Sequence, residues 1–258
     1  MCLMKKLLHA ILPFPSFEKA ERVLFVSPHP DDIEVAAGQT AAKLAAAGKT
    51  VRFVIALDGR YGSESADTDP DELKNIREAE ERASAAVLGV EDVRFLGLSD
   101  GGFYDAETLY EKIYREVLEF KPDLIFCPDP WLKTECHVDH INVGNATKRA
   151  FLFASNPPMA KKAGYGAASP ALLAMYYTDE PNYYFATGAK WRKLQKKALA
   201  CHASQMTYTP DKKGSGDMIN LYIDFRTLRF GLKTLRFGGA EGFRCLTPTH
   251  AHCCAEKI

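Results

Sequence analysis

The stretch at residues 23–32, Val-Leu-Phe-Val-Ser-Pro-His-Pro-Asp-Asp, constrains this chain more than any other part of the sequence. It begins with a short run of β-branched and aromatic residues, which is typical of a strand buried on both faces of a parallel sheet. Pro28 and Pro30 then hold the backbone extended on either side of His29. The stretch therefore predicts an imidazole and two carboxylates at the carboxyl end of a strand, where open α/β sheets place their ligands.

The residue types in this turn indicate a metal site. His29 and Asp32 are three positions apart and could bind one metal ion, which would leave the adjacent Asp31 free to act as a base. The alternative is that one Asp merely caps the helix that follows. Capping accounts for one carboxylate, but it does not account for the second carboxylate, the histidine or the flanking prolines.

The first half of the chain alternates strand and helix signals. Strands are predicted at residues 23–26, 51–57, 93–96 and 124–127, with helices between them at 34–47, 70–88 and 106–120. This spacing predicts right-handed βαβ units in an α/β, Rossmann-like three-layer sandwich with a mostly parallel sheet. No G-x-G-x-x-G follows any predicted strand, so we expect no dinucleotide site. We expect a single domain over residues 1–258, with an N-terminal extension at 1–20 and a C-terminal helical segment and tail from about residue 215.

Composition narrows the classes of partner and compartment. Lys plus Arg and Asp plus Glu both total 33, so we expect no nucleic-acid partner, no membrane insertion and a small substrate. The seven cysteines include no Cys-x-x-Cys pair, which favours free thiols in a reducing compartment. The apolar run at residues 7–14 is interrupted by His9 and Pro13, unlike a secretory signal. We therefore expect a cytoplasmic protein.

A second polar cluster follows the fourth predicted strand, at residues 135–140, Glu-Cys-His-Val-Asp-His. His137 and His140 lie at positions i and i+3, so they share a helical face, and Asp139 could fix the tautomer of an imidazole. A lone histidine would more often be structural. Two His/Asp clusters at the ends of two parallel strands favour the metal site instead.

Together these motifs resemble the PIG-L/LmbE superfamily of zinc-dependent N-acetylglucosaminyl deacetylases. Its signature is a Pro/Ala-His-Pro-Asp-Asp turn followed by a later His-x-Asp-His. The likeness is greatest to the diacetylchitobiose deacetylases, and it extends to Asp-Gly-Arg-Tyr-Gly at 58–62, Pro-Asp-Pro-Trp at 128–131 and Glu-Gly-Phe-Arg at 241–244. Val138, Gln39 and Ala203 depart from the family pattern, which puts the details of substrate binding in doubt but removes no ligand.

The resemblance implies removal of acetate from the 2-acetamido group of a small GlcNAc-containing compound. It implies that His29, Asp32 and His140 hold Zn²⁺ and leave one position open for water. Asp31 would then take a proton from that water. The resemblance also implies a second catalytic pair, His137 and Asp139. His137 would stabilise the oxyanion and help to protonate the departing amine, and Asp139 would orient His137.

Substrate contacts are expected at the same edge of the sheet. The glycine-punctuated loop at residues 58–63 makes Arg60 and Tyr61 candidates, although such a loop also serves as a simple turn. By resemblance, Arg77 is a further sugar contact, with ordinary surface charge as its alternative. Trp131 is a candidate because a pyranose face stacks on an apolar ring.

The C-terminal region suggests an assembly. Residues 218–236 interleave apolar and Arg side chains, and we expect a helix that packs on the core or on another subunit. We expect a homo-oligomer in which the segment around His252 approaches the active site of a neighbouring subunit. The alternative is a monomer with a frayed tail. The tract at 250–254 has a metal-like composition, yet as a terminal tract it is expected to be a surface segment.

Two other functions use the same residues. A metal-dependent amidase or esterase acting on a different small conjugate would need the same ligands. A non-catalytic sugar- or nucleotide-binding protein is the other candidate, although binding alone does not need a free carboxylate beside three metal ligands.

Overall fold

The computed structural model describes residues 11–236 and 238–252, and its strands follow the order β3-β2-β1-β4-β5-β7-β6. The first five strands of that order are parallel to one another, whereas β7 runs antiparallel to both β5 and β6. The mostly parallel Rossmann-like sheet predicted from the sequence is therefore confirmed. The strands are β1 (Arg22–Ser27), β2 (Thr50–Leu57), β3 (Asp92–Leu98), β4 (Leu124–Pro128), β5 (Leu172–Tyr176), β6 (Tyr183–Ala186) and β7 (Ala240–Leu246).

Helices cover the sheet, and several begin at the capping signals that the sequence carries. Asp69 caps α2 by accepting from the backbone N–H groups of Asp71 and Glu72, and Asp105 caps α3 by accepting from Thr108. The helices are α1 (Asp32–Ala46), α2 (Pro70–Leu88), α3 (Ala106–Phe120), α4 (Val138–Phe153), α5 (Pro157–Lys162), α6 (Ala189–Leu199), α7 (Ser215–Lys233) and α8 (Pro248–His252).

Two buried layers lie on opposite faces of the sheet, because successive side chains of a strand point to opposite sides. On one face, the rings of Phe25 and Phe126 stack at 4.3 Å and pack under α1, α2 and α6. On the other face, Leu24 and Val26 pack under α3 and α4. This arrangement is the three-layer sandwich that the alternating pattern predicts.

The strand order changes direction at β1, which pairs with β2 on one side and with β4 on the other. The loops that leave β1 and β4 therefore meet at one edge of the sheet, where α/β proteins bind their ligands. Helix α1 begins at Asp32, earlier than the predicted start at residue 34, and α4 begins at Val138. Asp32 and His140 consequently lie in the first turns of two neighbouring helices.

The described segments near the two ends of the chain pack into the core more than the sequence predicts. Phe17 is fully buried, and its ring stacks on Tyr183 at 4.3 Å, so this part of the expected N-terminal extension belongs to the core. The region after residue 215 is not only a helix and a tail, because β7 lies within the sheet. The strand pattern was obscured by Glu241, which is buried because it accepts hydrogen bonds from the backbone N–H and hydroxyl of Thr40.

The expectation of a surface tract at the C-terminus is wrong for His250. Its side chain is buried, its Nδ1 lies 2.8 Å from the hydroxyl of Thr247, and its ring lies 5.2 Å from that of Phe14. Residues 253–254 of the tract are outside the described residues. Across the described part of the chain, no helix is both long enough and apolar enough to cross a bilayer.

Candidate active site

The carboxylate of Asp32 lies between two imidazoles at the edge where β1 and β4 end. Its Oδ2 is 3.3 Å from Nδ1 of His29, and its Oδ1 is 3.4 Å from Nε2 of His140. Asp32 also accepts the backbone N–H of His29 at 3.1 Å and the hydroxyl of Tyr177 at 3.0 Å. The structure thus brings together the three residues that the sequence predicts as metal ligands.

Each of these imidazoles has a second carboxylate on its other nitrogen. Nε2 of His29 lies 3.0 Å from Asp139, and Nδ1 of His140 lies 2.9 Å from Glu135. Such outer carboxylates fix the tautomer and orientation of an imidazole. The remaining nitrogen of each ring therefore faces Asp32.

Asp139 is fixed from three directions. Its carboxylate accepts the backbone N–H groups of Gly101 at 2.7 Å and Gly102 at 2.9 Å, and it accepts the hydroxyl of Tyr104 at 2.9 Å. Burial acts to raise the pKa of Asp139, but the bonds from His29 and Gly101 outweigh burial and lower the pKa to about 2. Asp139 is therefore a permanently charged partner for the His29 imidazole.

The expectation that Asp139 orients His137 needs correction. Nδ1 of His137 lies 3.9 Å from the Asp139 carboxylate, which is too long for a hydrogen bond. Asp139 sits in the first turn of α4 and faces inward to His29, whereas His137 stands just before that turn. The residue that Asp139 orients in this structure is His29.

The pKa values of His29, Asp32 and His140 are shifted by the charges of their neighbours in this cluster. Burial acts to lower the pKa of both histidines, but their carboxylate partners outweigh it and raise the pKa of His29 to about 10 and that of His140 to about 9. Burial acts to raise the pKa of Asp32, yet the charges and hydrogen bonds of His140 and His29 hold it well below its usual range. The site thus carries a carboxylate and two strongly basic imidazoles.

His137 lies on the solvent side of this cluster. Its side chain is 48% exposed, and its ring stacks on that of His140 with centroids 4.7 Å apart. Burial and the neighbouring charges of His29 and His140 lower the pKa of His137. One ligand atom from each of His29, His137 and His140 lies within 4.8 Å of the others. Distance alone therefore also permits a metal site with these three histidines as its ligands.

Asp31 stands beside the cluster in an unusual conformation. Its φ is 109° and its ψ is −27°, in a region that non-glycine residues rarely adopt. It occupies the N-cap position of α1, but its side chain makes no capping bond, so the capping alternative does not apply to it. Burial raises its pKa to about 6, although the nearby charge of Arg77 opposes that shift. The carboxylate is therefore ionised at neutral pH and is not committed to the helix.

Arg77 is buried, which contradicts the alternative of an ordinary surface charge, while its contact with the sugar stays a prediction. Only 4% of the residue is exposed, and its guanidinium donates to the carbonyls of Gly59 and Pro30 and to the Asp31 carboxylate at 3.3 Å. A Cβ added at Gly59 would lie 2.6 Å from this guanidinium, and a Cβ added at Gly62 would also overlap it. The two glycines of the loop thus make room for Arg77 beneath it.

The other predicted substrate contacts are spread around the mouth of the site. Arg60 is held by Asp58, with contacts of 2.7–3.1 Å, and reaches Asp71 at 3.0 Å. Tyr61 is 52% exposed, whereas Trp131 is 46% exposed and has the Lys148 ammonium 3.9 Å above its ring. Arg60 is therefore largely committed to carboxylates, and one face of Trp131 is already covered.

His252 lies at the end of α8, a helix that packs against α4 and β7. Its approach to a neighbouring subunit stays a prediction.

Sequence reasoning assigned no role to three residues that support the cluster. Glu135 holds His140, Tyr104 holds Asp139, and Tyr177 donates to Asp32 while its ring stacks on His140. Glu135 had a weak signal, because it stands beside the second histidine motif. Tyr104 and Tyr177 reach the site from other strands and loops, so only the fold reveals them.

Comparison with known proteins agrees with this geometry. Residues 24–151 match the family model described as PIG-L, GlcNAc-PI de-N-acetylase. A diacetylchitobiose deacetylase of Thermococcus kodakarensis is 29% identical over 241 residues, which cover 92% of this chain and 88% of that protein. A 1D-myo-inositol 2-acetamido-2-deoxy-alpha-D-glucopyranoside deacetylase of Kineococcus radiotolerans is 30% identical over 191 residues, covering 62% of this chain and 52% of that protein.

A solved structure extends the likeness to the whole fold. The N,N'-diacetylchitobiose deacetylase of Pyrococcus horikoshii superposes with a TM-score of 0.85 at 29% identity, covering 96% of this chain and 93% of that one. The matched segment contains both His/Asp motifs, and the remaining strands have counterparts in a structure of the same fold. Residues 24–151 of this chain therefore form a PIG-L domain.

Proposed function

We propose that this protein is a metal-dependent deacetylase that removes acetate from the 2-acetamido group of a small GlcNAc-containing compound. The observation that carries this proposal is the placement of the Asp32 carboxylate between His29 and His140, with the Asp31 carboxylate beside it. The relatives named as deacetylases of diacetylchitobiose and of a GlcNAc-inositol compound support the substrate class.

The residues of the site fit Zn²⁺. Two imidazoles and one carboxylate form the three-ligand set of many catalytic zinc sites, which keep one position open. We propose His29, Asp32 and His140 as these ligands, because the outer nitrogen of each imidazole already has a carboxylate partner. His137 fits less well as a ligand, since its side chain is half exposed and its Nδ1 is 3.9 Å from Asp139.

The residues around the ligands supply the remaining chemistry. When bound, zinc would lower the pKa of a water molecule and polarise the acetamide carbonyl. Asp31 would accept the proton of that water, which its pKa of about 6 allows at neutral pH. His137 would donate a hydrogen bond to the developing oxyanion, as a neutral imidazole can. The proton that Asp31 accepts from the water would then pass to the departing amine.

The mouth of the site supplies candidates for holding the sugar. Tyr61 and the exposed part of Trp131 present apolar surface on which a pyranose ring could stack. Arg60 would contribute only the part of its guanidinium that Asp58 leaves accessible. A neighbouring subunit would contribute His252.

We also propose that the chain forms a homo-oligomer through α7. This helix exposes a row of large apolar side chains at helical spacing, which a monomer would leave in water. The row comprises Met218, Leu221, Phe225, Leu228 and Leu232, which are 54–66% exposed. Light scattering should give a mass well above the 28.6 kDa of one chain, and Phe225→Glu should lower it. A wild-type mass of one chain would contradict the assembly.

The remaining proposals concern the chain as a whole. We propose that it works as a single deacetylase domain in the cytoplasm. One sheet that includes both early and late strands supports the first point. The second is supported by the free cysteines among the described residues, at 127, 136, 201 and 245.

An assay of amine release tests the main proposal. GlcNAc, diacetylchitobiose and a GlcNAc glycoside would be incubated with the protein, with and without a chelator, and then with added zinc. We expect release from at least one of them, loss of activity with the chelator and recovery with zinc. Hydrolysis of only unrelated amides or esters would favour the broader amidase, whereas sugar binding without turnover would favour a binding protein.

A further inference from the structure

A buried cluster of charged side chains lies behind Asp31, and neither the ligand set nor the substrate contacts use it. Glu34, Glu81 and His202 are each fully buried, and one ligand atom from each lies within 4.8 Å of the others. Nε2 of His202 is 3.8 Å from Glu81 and 3.9 Å from Glu34. Burying such groups is unfavourable unless they have partners, so a role beyond packing is called for.

The cluster is connected to the backbone of Asp31. Oε2 of Glu81 accepts the backbone N–H of Asp31 at 3.1 Å. Arg77 lies one turn earlier on α2 and donates to the Asp31 carboxylate and to the carbonyl of Pro30. Glu81 and Arg77 lie one turn apart on the same face of α2. Glu81 thus holds the backbone of Asp31, and Arg77 holds its side chain.

The conformation of Asp31 explains why it needs such support. A non-glycine residue at a φ of 109° is strained and persists only where its surroundings determine it. Residues with such strain concentrate at active sites. Loss of the Glu81 acceptor would leave the Asp31 N–H buried without its partner and would allow the turn to relax.

We propose that Glu81, which lies beside the buried imidazole of His202, is a positioning residue that keeps Asp31 in the strained turn beside the metal ligands. This inference rests on the proposed function, because it assumes that Asp31 is the base. Glu81 does not act on the substrate. It fixes the place from which the Asp31 carboxylate acts.

Two variants of similar size separate the hydrogen bond from simple packing. Glu81→Gln keeps a carbonyl oxygen that can accept the Asp31 N–H, whereas Glu81→Met fills the space without an acceptor. We expect Glu81→Met to lower kcat on the order of 10²-fold through misplacement of the base, with KM and bound metal little changed. We expect Glu81→Gln to stay within a few-fold of the wild type.

A double-mutant cycle with Asp31→Asn shows whether Glu81 acts through Asp31. If it does, Glu81→Met should lower kcat no further once Asp31 is replaced. Multiplying effects in the double variant would overturn the proposal. If Glu81→Met does not fold, Glu81→Leu gives the same test, because it also removes the acceptor and keeps an apolar side chain of similar volume.

Glu241→Met is the matched control. Glu241 is also a buried carboxylate that accepts a backbone N–H, but its partner is Thr40, farther along α1. This variant should lower thermal stability without changing kcat per folded molecule.

Two further outcomes have clear meanings. Full turnover by Asp31→Asn alone would refute the base assignment itself. A second equivalent of metal in the wild type, lost in Glu81→Met, would make the cluster a metal site and overturn the positioning role.

Discussion

The His29 imidazole is joined to the Asp139 carboxylate by a 3.0 Å contact that links the first histidine motif to the second. Asp139 is itself held by the backbone of the turn at Gly101 and Gly102. The orientation of a predicted metal ligand therefore depends on a residue that is 110 positions away in the sequence. This dependence makes Asp139 a direct test of the site.

Asp139→Asn should weaken metal binding on the order of 10-fold to 100-fold, because an amide is a poorer partner than a carboxylate for the His29 imidazole. A competition titration with a chelator of known affinity would measure the change. Asp92→Asn is the matched control, since it breaks a contact with Arg52 away from the site and should leave metal affinity unchanged. Equal metal affinity in Asp139→Asn and the wild type would contradict the role of Asp139.

Replacing the proposed ligands and the proposed base should give different results. His29→Ala, Asp32→Ala and His140→Ala should each lower bound zinc, because each removes one of three donors. Asp31→Asn should keep the zinc but lower turnover on the order of 10²-fold to 10⁴-fold, because it removes a proton acceptor. Metal analysis and kinetics on the same preparations would measure both. If Asp31→Asn lost its zinc while Asp32→Asn kept it, Asp31 would be the metal ligand and Asp32 the base.

His137→Ala should retain zinc and bind substrate nearly normally while kcat falls. The reason is that a hydrogen bond to the oxyanion strengthens only in the transition state. Measurements of kcat, KM and zinc content would separate these effects. If the variant loses its metal, the set of three histidines that the 4.8 Å spacing permits would be the correct one.

Metal binding should strengthen as pH rises. In the absence of metal, His29 and His140 hold their protons up to pKa values of about 10 and about 9, and zinc must displace those protons. In the unfolded chain these histidines have an ordinary pKa of about 6.5. Because the pKa values are higher in the chelator-treated fold, protonation of the two histidines stabilises that fold, and this stabilisation is complete below about pH 6.5. That stabilisation is lost as pH rises through the two raised values.

The measurement is the melting temperature between about pH 6.5 and pH 9.5, with excess chelator and with saturating zinc. The stabilisation by zinc should grow across this interval. The double variant His29→Gln/His140→Gln, treated with chelator, should show a flatter pH dependence than the chelator-treated wild type. A zinc effect that shrinks with rising pH would contradict the prediction.

Much of the fold could be predicted because its signals are local. The apolar run at residues 23–26, the caps at Asp69 and Asp105 and the glycine after α2 each act on their immediate neighbours. The two His/Asp motifs could be assigned to one edge because parallel strands end together. The sequence shows no contact between the two motifs, and their proximity was predicted from the topology of the sheet alone.

The supporting contacts of the site could not be predicted in this way. In the sequence, Arg77 has the spacing of an ordinary surface charge on α2. Its side chain passes beneath the loop to Asp31 because Gly59 and Gly62 have no Cβ atom in its way. His202 is separated from Glu81 by more than a hundred residues. Contacts of this kind depend on packing between distant elements, for which a single sequence carries no periodic signal.

The position of β7 has a consequence for how the protein is made. Residues 240–246 form the last strand, yet it lies between β5 and β6, and β6 has no other neighbour in the sheet. Both His/Asp motifs leave the ribosome long before this strand does. Until β7 emerges, the nascent chain can assemble β1–β5 only, and β5 presents an open edge of the kind that pairs with other chains. The order of the strands therefore leaves this edge of β5 unpaired during translation until β7 is made.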